Sequence, residues 1–351
     1  MEFLADYGLF LAKAITLLVA VGIIIGLIAN ASKGMARDKG HLEIISLNDK
    51  LQGLEDTLSR SLLAPNEQKA AKKARKKQEK AAARQLKSKT ASDNEQQQGK
   101  KNVFVLDFHG DLRASAVASL REEVSAVLLR ATKQDEVVVT IETGGGMVHG
   151  YGLAASQLDR IRKRDIPLTV CVDKVAASGG YMMACVANRI LAAPFAMIGS
   201  IGVVAQIPNI HRLLKRHDID IELMTAGKYK RTLTVLGENT DEARSKFRDD
   251  LEEIHTLFKQ HVCERRPQVD IDAVATGEVW QGSRALSLGL VDELKTSDEY
   301  LTDLARECRV FRIRYLEKKS LPQKLGLAAE ESSDRLVLRW LERLLNTRNL
   351  S

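Results

Sequence analysis

The stretch VVVTIETGGG, residues Val137 to Gly146, joins a strand signal to a turn signal. Its first half is dominated by β-branched side chains, which fit a pleated and buried surface. Three glycines follow almost at once, and glycine lets backbone N–H groups turn outward at the end of a strand. Apolar runs of the same kind recur at Val103–Phe108 and Leu168–Val172. The sequence therefore predicts several strands of one sheet, one of them ending in a glycine turn.

Helical patterns lie between these strands and indicate the fold class. Apolar residues repeat at helical spacing from Val117 to Leu128 and from Leu153 to Ile161. Strands that alternate with helices predict βαβ units and a mainly parallel sheet, hence an α/β domain. We expect a further strand at Ile219–Met224 and a long amphipathic helix at Asp241–Cys263. The compact domain should close near Gly289–Leu294.

The beginning of the chain predicts a membrane anchor. Tyr7–Ala31 carries a single charge, Lys13, and is long enough to cross a bilayer core of about 30 Å. The length of this run and the acidic residues before it favour a retained transmembrane helix over a cleaved signal peptide. A second uncharged run, Ile190–Ile207, contains Pro194 and several glycines, so it is interpreted as core of the soluble domain.

Four segments follow from these signals. Residues 1–33 are the transmembrane anchor, 34–101 a basic spacer that is partly helical or disordered, 102–297 the compact α/β domain, and 298–351 a tail with an amphipathic helix. Within the spacer, Ile44–Leu63 has apolar residues at helical spacing. The tail helix could pack on protein or lie on a membrane surface, and the sequence does not distinguish between these two roles.

Charge and cysteine content limit the partners. The formal net charge is +7, and residues 69–89 hold ten Lys or Arg against one acid, Glu79. No aromatic residues interleave with these bases, so no nucleic-acid partner is expected, and anionic lipid head groups are preferred. Basic residues just after the anchor favour a cytoplasmic main domain. The four cysteines lack metal-site or redox-pair spacing, and no cofactor is expected.

A second glycine cluster contains a candidate nucleophile. In VAASGGYMMAC, Val175–Cys185, the lone Ser178 precedes two glycines. Acyl transfer by a serine needs two N–H donors aimed at the developing oxyanion. Gly179 can supply one, and Gly145 or Gly146 of the first cluster the other. The simpler interpretation is a pair of tight turns, and no GxSxG elbow is present.

A nucleophilic serine also needs a general base, and the residues alone leave its identity open. The histidines lie in no local catalytic motif, although a Ser-His-Asp triad assembled in space is an alternative. A lysine can serve if burial or cationic neighbours lower its pKa from about 10.4 towards 7–8. In TAGKYKR, Thr225–Arg231, two lysines precede Arg231: Lys228 and Lys230.

In combination, these motifs resemble the signal peptide peptidase A family, serine peptidases of the S49 type. Over residues 102–295 the order is TGGG, ASGGYMMAC, IGSIGV, AGKYK and GEVWQGSRALSLGLVDEL. The resemblance implies a crotonase/Clp-protease-like domain with repeated ββα units. It also implies a set of site residues: the nucleophile Ser178, the general base Lys230, the oxyanion donors Gly179 with Gly145 or Gly146, and Ser200, which hydrogen-bonds the lysine.

The resemblance further implies partners and a location. The substrates would be peptides or unfolded segments near a bacterial inner membrane, cleaved signal peptides among them. Family members form homo-oligomers in which serine and lysine can come from neighbouring subunits, and their catalytic domain usually lies outside, here in the periplasm. The chain departs from the family where Glu142-Thr143-Gly144 replaces Asn-Ser-Pro and where Arg231 follows the lysine.

Two other functions fit the same fold, because a fold does not determine a function. A crotonase-like enzyme acting on acyl-CoA would need the oxyanion hole but not the serine and lysine. A membrane-tethered scaffold with a decayed site would need neither the oxyanion hole nor the serine and lysine. The serine peptidase ranks first among the three.

Overall fold

The structure is a computed structural model, and it describes Thr16, residues 40–62 and residues 101–317. The predicted anchor, apart from Thr16, and the predicted tail helix lie outside the described residues, as does most of the basic spacer. No helix in the described ranges is both long and apolar enough to span a bilayer. The chain divides into two compact units, Met1–His41 with Leu316–Ser351 and Leu42–Tyr315. The elements that position the site belong to the second unit.

Strands and helices alternate through the described ranges. The strands are β1 (Gly40–Ser46), β2 (Asn102–His109), β3 (Glu136–Glu142), β4 (Leu168–Val172), β5 (Val175–Ala177), β6 (Arg189–Ala192), β7 (Met197–Gly199), β8 (Val279–Gln281), β9 (Glu293–Leu294) and β10 (Arg309–Glu317). The helices are α1 (Leu47–Leu62), α2 (Val117–Leu128), α3 (Val148–Arg162), α4 (Gly179–Ala184), α5 (His211–Arg216), α6 (Asp241–Arg265), α7 (Ile271–Val274), α8 (Gly282–Ser287) and α9 (Ser297–Glu307).

The predicted α/β class and mainly parallel sheet are confirmed. A seven-stranded sheet runs in the order β1-β10-β2-β3-β4-β6-β9. Every pair from β10 across to β9 is parallel, with Val138 of β3 between Val105 of β2 and Thr169 of β4. A smaller sheet, β5-β7-β8, combines a parallel and an antiparallel pair. This small sheet carries the turn that contains Ser178.

The central strands β3 and β4 of the large sheet are buried on both faces, which explains their runs of β-branched residues. Val137 and Val139 point into a core that α2, α3 and α4 complete, whereas Val138 points to the opposite face. On that second face, Leu47 of α1 and Tyr300 of α9 cover the sheet. The alternation along β3 therefore builds helix–sheet–helix layers, and the Ser178 turn lies on the side of the larger core.

The strand expected at Ile219–Met224 is absent, so that prediction is wrong. The alternation of apolar residues there is typical of a strand, but no described strand pairs with this stretch. Ile219 and Leu223 remain 48% and 53% exposed. Alternation alone does not make a strand, because backbone N–H and C=O groups also need a neighbour. The stretch belongs to an exposed segment, residues 203–240, that we call the lysine segment.

Two other boundaries differ from expectation. The sheet continues beyond Gly289–Leu294, because β10 pairs with β2 at its far side. The helix expected at Ile44–Leu63 begins only at Leu47, since the preceding residues form β1. The run Ile190–Ile207 is core only in part. Ile201 is fully buried, whereas Val204 is 91% exposed at the start of the lysine segment.

Candidate active site

Ser178 occupies a strained turn between β5 and α4. Its backbone has φ 52° and ψ −118°, a combination that residues with a side chain rarely adopt. Such strain costs about 1–3 kcal/mol and tends to persist at functional sites. The Ser178 N–H donates to the carbonyl of Gly199 at 2.7 Å, and its own carbonyl accepts the N–H of Met182 at 2.9 Å. The turn thus has the strand-to-helix form of a nucleophile elbow, although Ala176 replaces the first elbow glycine.

The glycines after Ser178 are required by close packing. A methyl group on Gly179 would lie 2.3 Å from Cγ of Tyr151, and one on Gly180 would lie 2.7 Å from Cγ2 of Thr143. The Gly179 N–H meets no acceptor among the described residues. This N–H is therefore available to a ligand beside Ser178.

The first glycine cluster lies directly against the second. A methyl group on Gly145, whose φ is 88°, would come within 2.7 Å of both Ser178 Cβ and the Gly179 nitrogen. Gly145 donates its N–H to the hydroxyl of Thr143 at 3.1 Å, and the N–H of Met147 donates to the carbonyl of Leu112 at 2.8 Å. Between these two bonded amides, the N–H of Gly146 has no acceptor in the part of the chain that the structure describes.

Thr143 and Tyr151 form a buried polar pair beneath both glycine clusters. Their exposed fractions are 2% and 0%, and their hydroxyls are hydrogen-bonded to each other. Tyr151 also donates to the backbone carbonyl of Asp111 at 2.7 Å. Burial raises the pKa of Tyr151 above 10, with the Thr143 hydrogen bond acting in the opposite direction. Sequence reasoning missed Tyr151, because its spacing in α3 is that of an ordinary core residue.

A cleft of about 720 Å³ unites most of the predicted site. Ser178, Gly179, Ser200 and the three glycines of the first cluster line it. Most of the remaining lining is apolar: Leu112, Met147, Val148, Met182, Val203, Val204, Ile254, Phe258 and Ala275. The structure therefore brings together the predicted nucleophile, the candidate oxyanion donors and the supporting serine, beside a surface suited to apolar side chains.

Ser200 reaches the cleft through a second strained turn. It has φ 52°, and its N–H donates to the carbonyl of Glu278 at 2.6 Å. The preceding Gly199 has φ 102°, and a methyl group there would lie 2.7 Å from the ring of Trp280. Strand β8 thus holds Ser200 in place, while the carbonyl of Gly199 accepts the N–H of Ser178.

The two candidate lysines lie on the lysine segment, apart from the lining of the cleft. Lys230 is exposed, and its side chain forms no ion pair or hydrogen bond with the described residues. Lys228 pairs with Glu242 at 2.8 Å and lies over the ring of Tyr229. The hydrogen bond to Glu242 raises the pKa of Lys228 well above its usual value. Within one chain, the structure does not bring either lysine to Ser178.

Two histidines of α6 lie at or near the cleft, although neither belongs to a local catalytic motif. His255 lines the cleft, and its Nε2 is shielded from solvent without a hydrogen-bond partner among the described residues. His261 donates from Nε2 to the carbonyl of Met182 at 2.9 Å, which ties α6 to α4. Burial lowers the pKa of His261, which favours the neutral form of its ring. The sequence shows no local catalytic motif around either histidine, and for His255 the structure adds a position on the cleft.

The chain has relatives among known proteins. Residues 2–158 match the family described as "Peptidase family S49 N-terminal", and residues 160–310 match "Peptidase family S49". A "Probable protease SohB" of Haemophilus influenzae is 49% identical over 340 residues, which cover 97% of this chain and 96% of that one. The same name is carried by a protein of Buchnera aphidicola subsp. Schlechtendalia chinensis, 48% identical over 311 residues, with 86% and 99% covered.

A solved structure is also similar in part. It is a mutant of the 1510-N membrane-bound stomatin-specific protease in complex with a substrate peptide. The TM-score is 0.39 and the sequence identity 13%, over 65% of this chain and 96% of that one.

Proposed function

The chain belongs to peptidase family S49, and from that premise we propose that it is a membrane-anchored serine endopeptidase with a Ser/Lys dyad. Ser178 is the nucleophile and Lys230 the general base. One observation carries the proposal: Ser178 lies at a strained elbow on the cleft, in contact with a glycine turn and beside backbone N–H groups that meet no acceptor among residues 40–62 and 101–317. A packing serine would need neither the strain nor the unpaired amides.

The chemistry follows from these groups. The neutral amine of Lys230 takes the proton of the Ser178 hydroxyl, and the oxygen attacks the peptide carbonyl. The N–H of Gly179, with that of Gly145 or Gly146, stabilises the oxyanion of the tetrahedral intermediate. When the C–N bond breaks, the lysine ammonium returns its proton to the leaving amine. Water then hydrolyses the acyl-enzyme by the same steps, and no metal or cofactor takes part.

Lys230 is the better base of the two candidates. Lys228 is held in an ion pair with Glu242, which stabilises its protonated form and opposes proton transfer from a serine. Lys230 has no such partner among the described residues. Because Lys230 lies away from the cleft of its own chain, we propose that it serves Ser178 of a neighbouring subunit in a homo-oligomer, with Ser200 as its hydrogen-bond partner.

The surface of the lysine segment supports this arrangement. Val204 and Met224 are 91% and 85% exposed, and Leu213 and Leu223 are each 53% exposed. Large apolar side chains concentrated on one exposed segment are typical of a protein–protein contact. A segment that leaves one subunit to complete the site of the next would bury them, and in a closed ring every subunit would make the same contact.

The lining of the cleft favours apolar peptide side chains. Aliphatic, aromatic and methionine side chains border it, and His255 is the one titratable side chain among the lining residues that the structure describes. We propose as substrates peptides or unfolded segments near the bacterial inner membrane, including cleaved signal peptides. The predicted anchor of residues 1–33 would hold the enzyme in lipid, with the catalytic domain in the periplasm.

Labelling with a fluorophosphonate probe tests the proposal on the full-length protein. We expect Ser178→Ala and Lys230→Ala to abolish labelling, because the first lacks the nucleophile and the second the base. Lys228→Ala is the matched control and should be labelled like the wild type. Unchanged labelling of Lys230→Ala would refute the dyad, and unchanged labelling of Ser178→Ala would refute the nucleophile.

A serine with a histidine base is the competing mechanism, because His255 lies on the same cleft and its Nε2 has no hydrogen-bond partner in the described ranges. His255→Ala separates the two. A lysine base predicts that labelling persists in this variant, with an altered KM for apolar peptides. Loss of labelling in His255→Ala together with its persistence in Lys230→Ala would assign the role to the histidine.

The remaining alternatives have their own outcomes. Turnover of acyl-CoA thioesters without peptide hydrolysis would identify a crotonase-like enzyme. Complete absence of labelling in an intact oligomer would identify a scaffold with a decayed site.

A further inference from the structure

We infer that Thr143 and Tyr151 form a hydrogen-bond relay of fixed direction that sets the glycine turn, so that Gly146 rather than Gly145 presents its N–H to the oxyanion. The two side chains are positioning residues, because they act through the backbone and do not touch the substrate. The inference rests on the proposed peptidase function and specifies which donors it uses and what holds them.

The direction of the relay follows from its last member. The carbonyl of Asp111 can only accept, so the Tyr151 hydroxyl donates its single proton there, at 2.7 Å. The Tyr151 oxygen then accepts from its other neighbour, which makes the Thr143 hydroxyl a donor. The Thr143 oxygen in turn accepts the N–H of Gly145, at 3.1 Å. Each of these protons therefore has one acceptor, and no other placement of the two hydroxyl protons forms all three hydrogen bonds.

Burial makes this relay rigid. Thr143 and Tyr151 are 2% and 0% exposed, so an unpaired hydroxyl in their place would lose its hydrogen bond without gaining water. The backbone of Thr143 is also paired, because its N–H donates to Val175 and its carbonyl accepts from Ala177. A fixed oxygen therefore holds the Gly145 amide.

The consequence for the turn is a choice between neighbouring amides. Gly145 N–H is taken by Thr143, and Met147 N–H is taken by the carbonyl of Leu112. Only the Gly146 N–H between them lacks an acceptor among the described residues, and Gly146 lines the cleft. With both neighbours bonded, the Gly146 peptide cannot rotate freely, and such preorganised donors are the effective ones in an oxyanion hole.

Tyr151 links this donor to the other one. Its ring lies where a side chain of Gly179 would be, 2.3 Å from the position of a methyl group there. The methyl of Thr143 likewise lies 2.7 Å from the position that a methyl group on Gly180 would take. The same buried pair thus fixes the glycine turn by hydrogen bonds and the elbow by contact. Their relative position, and with it the spacing of the two N–H donors, depends on Thr143 and Tyr151.

Substitution of Thr143 separates positioning from folding. Thr143→Val keeps the branched shape but removes the hydroxyl, which frees the Gly145 amide. Thr143→Ser keeps the hydroxyl and is the conservative rescue. Thr140→Val is the matched control, because it removes a threonine hydroxyl from β3, the strand that ends just before Thr143, and that hydroxyl donates to Asp107 outside the cleft.

Steady-state hydrolysis of an apolar peptide by the full-length protein should separate these variants by their kcat. We expect Thr143→Val to lower kcat by about 10-fold or more with KM within about 3-fold, since an oxyanion donor acts mainly in the transition state. Tyr151→Phe should lower kcat in the same way. Thr143→Ser and Thr140→Val should stay within about 3-fold of the wild-type kcat, and all four should retain the wild-type oligomer.

A second measurement does not depend on activity. Hydrogen exchange followed by mass spectrometry over residues 143–147 should show faster exchange in Thr143→Val and protection like the wild type in Thr143→Ser. Wild-type kcat and protection in Thr143→Val would overturn the relay, and so would an equal loss of kcat in Thr143→Ser. A wild-type protein without peptidase activity, or an active Ser178→Ala, would instead refute the proposed function and leave the exchange result to judge the relay alone.

Discussion

Gly145 and Ser178 are in direct contact across the site: a methyl group on Gly145 would lie 2.7 Å from Ser178 Cβ and 2.7 Å from the Gly179 nitrogen. We therefore expect Gly145→Ala to lower kcat by about 100-fold or more, because the added atom would displace Gly179, the proposed oxyanion donor. The φ of 88° at Gly145 adds backbone strain of about 1 kcal/mol for any side chain. Peptide hydrolysis and thermal unfolding of the full-length variant measure both effects.

Gly152→Ala is the control for that substitution. This glycine lies within α3, and a methyl group there meets no atom within 4 Å. Alanine in a helix interior should raise stability by about 0.5–1 kcal/mol and leave kcat unchanged. A Gly145→Ala protein with wild-type kcat would contradict the geometry assigned to the site.

Mixing two inactive variants tests whether the dyad is shared between subunits. Ser178→Ala subunits retain Lys230, and Lys230→Ala subunits retain Ser178. If the lysine of one subunit serves the serine of the next, random co-assembly in equal amounts should restore about one quarter of the wild-type sites. Peptide hydrolysis after co-expression measures the recovery. A mixture that stays inactive although both variants co-purify would place serine and lysine in the same chain.

Glu123 gives the protein a pH-dependent stability. It is 5% exposed and accepts the N–H of Tyr315 at 2.8 Å. Burial raises the pKa of its carboxyl from 4.5 to about 7, with the Tyr315 N–H opposing this shift and the charge of Asp107 adding to it. Because the folded pKa exceeds the unfolded value, this group stabilises the fold fully below pH ~4.5, and that stabilisation is lost as the pH rises through about 7.

Glu123→Gln should remove this dependence. The amide keeps an oxygen for the Tyr315 N–H but carries no charge at any pH. At pH 8 the variant should therefore be more stable than the wild type, by about 3 kcal/mol at most. Thermal unfolding between pH 5 and pH 8 measures the difference, with the exposed neighbour Glu122→Gln as control. Parallel pH profiles of the wild type and Glu123→Gln would show that the carboxyl has an ordinary pKa.

Asn48 joins α1 to the end of the compact unit. Its side chain donates to the carbonyls of Ala305 and Cys308, at 2.8 and 2.9 Å, and accepts the N–H of Val310 at 2.8 Å. Asn48→Ala removes three hydrogen bonds that tie α1 to residues 305–310, so we expect a loss of about 2–4 kcal/mol in the free energy of unfolding.

Thermal unfolding measures the effect of Asn48→Ala. Gln52→Ala, at an exposed position of the same helix, is the control and should change stability by less than about 0.5 kcal/mol. Equal melting temperatures for the two variants would mean that the Asn48 contacts do not hold α1 in place.

Local sequence patterns were enough to predict the fold class and to indicate serine acyl-transfer chemistry. The β-branched run Val137–Ile141 and the helical repeats around it were enough to predict βαβ units, because burial and local propensity act on the same residues. The order of the motifs identified the family before any contact was known. Ser178 and Gly179 could be singled out as a candidate nucleophile and a candidate oxyanion donor, since the two residues are adjacent in the chain.

Which backbone and side-chain groups are free to act depends on contacts that appear only in the folded chain. Gly145 and Gly146 are alike in sequence, and they differ because Thr143 accepts one N–H and nothing described accepts the other. Lys228 is distinguished from Lys230 by Glu242, a residue on another element. Ile219–Met224 alternates like a strand but pairs with no strand in the part of the chain that the structure describes. In each case the outcome depends on the direction of a backbone group or on a partner from another part of the chain. A local sequence pattern carries no information on the direction or on the partner.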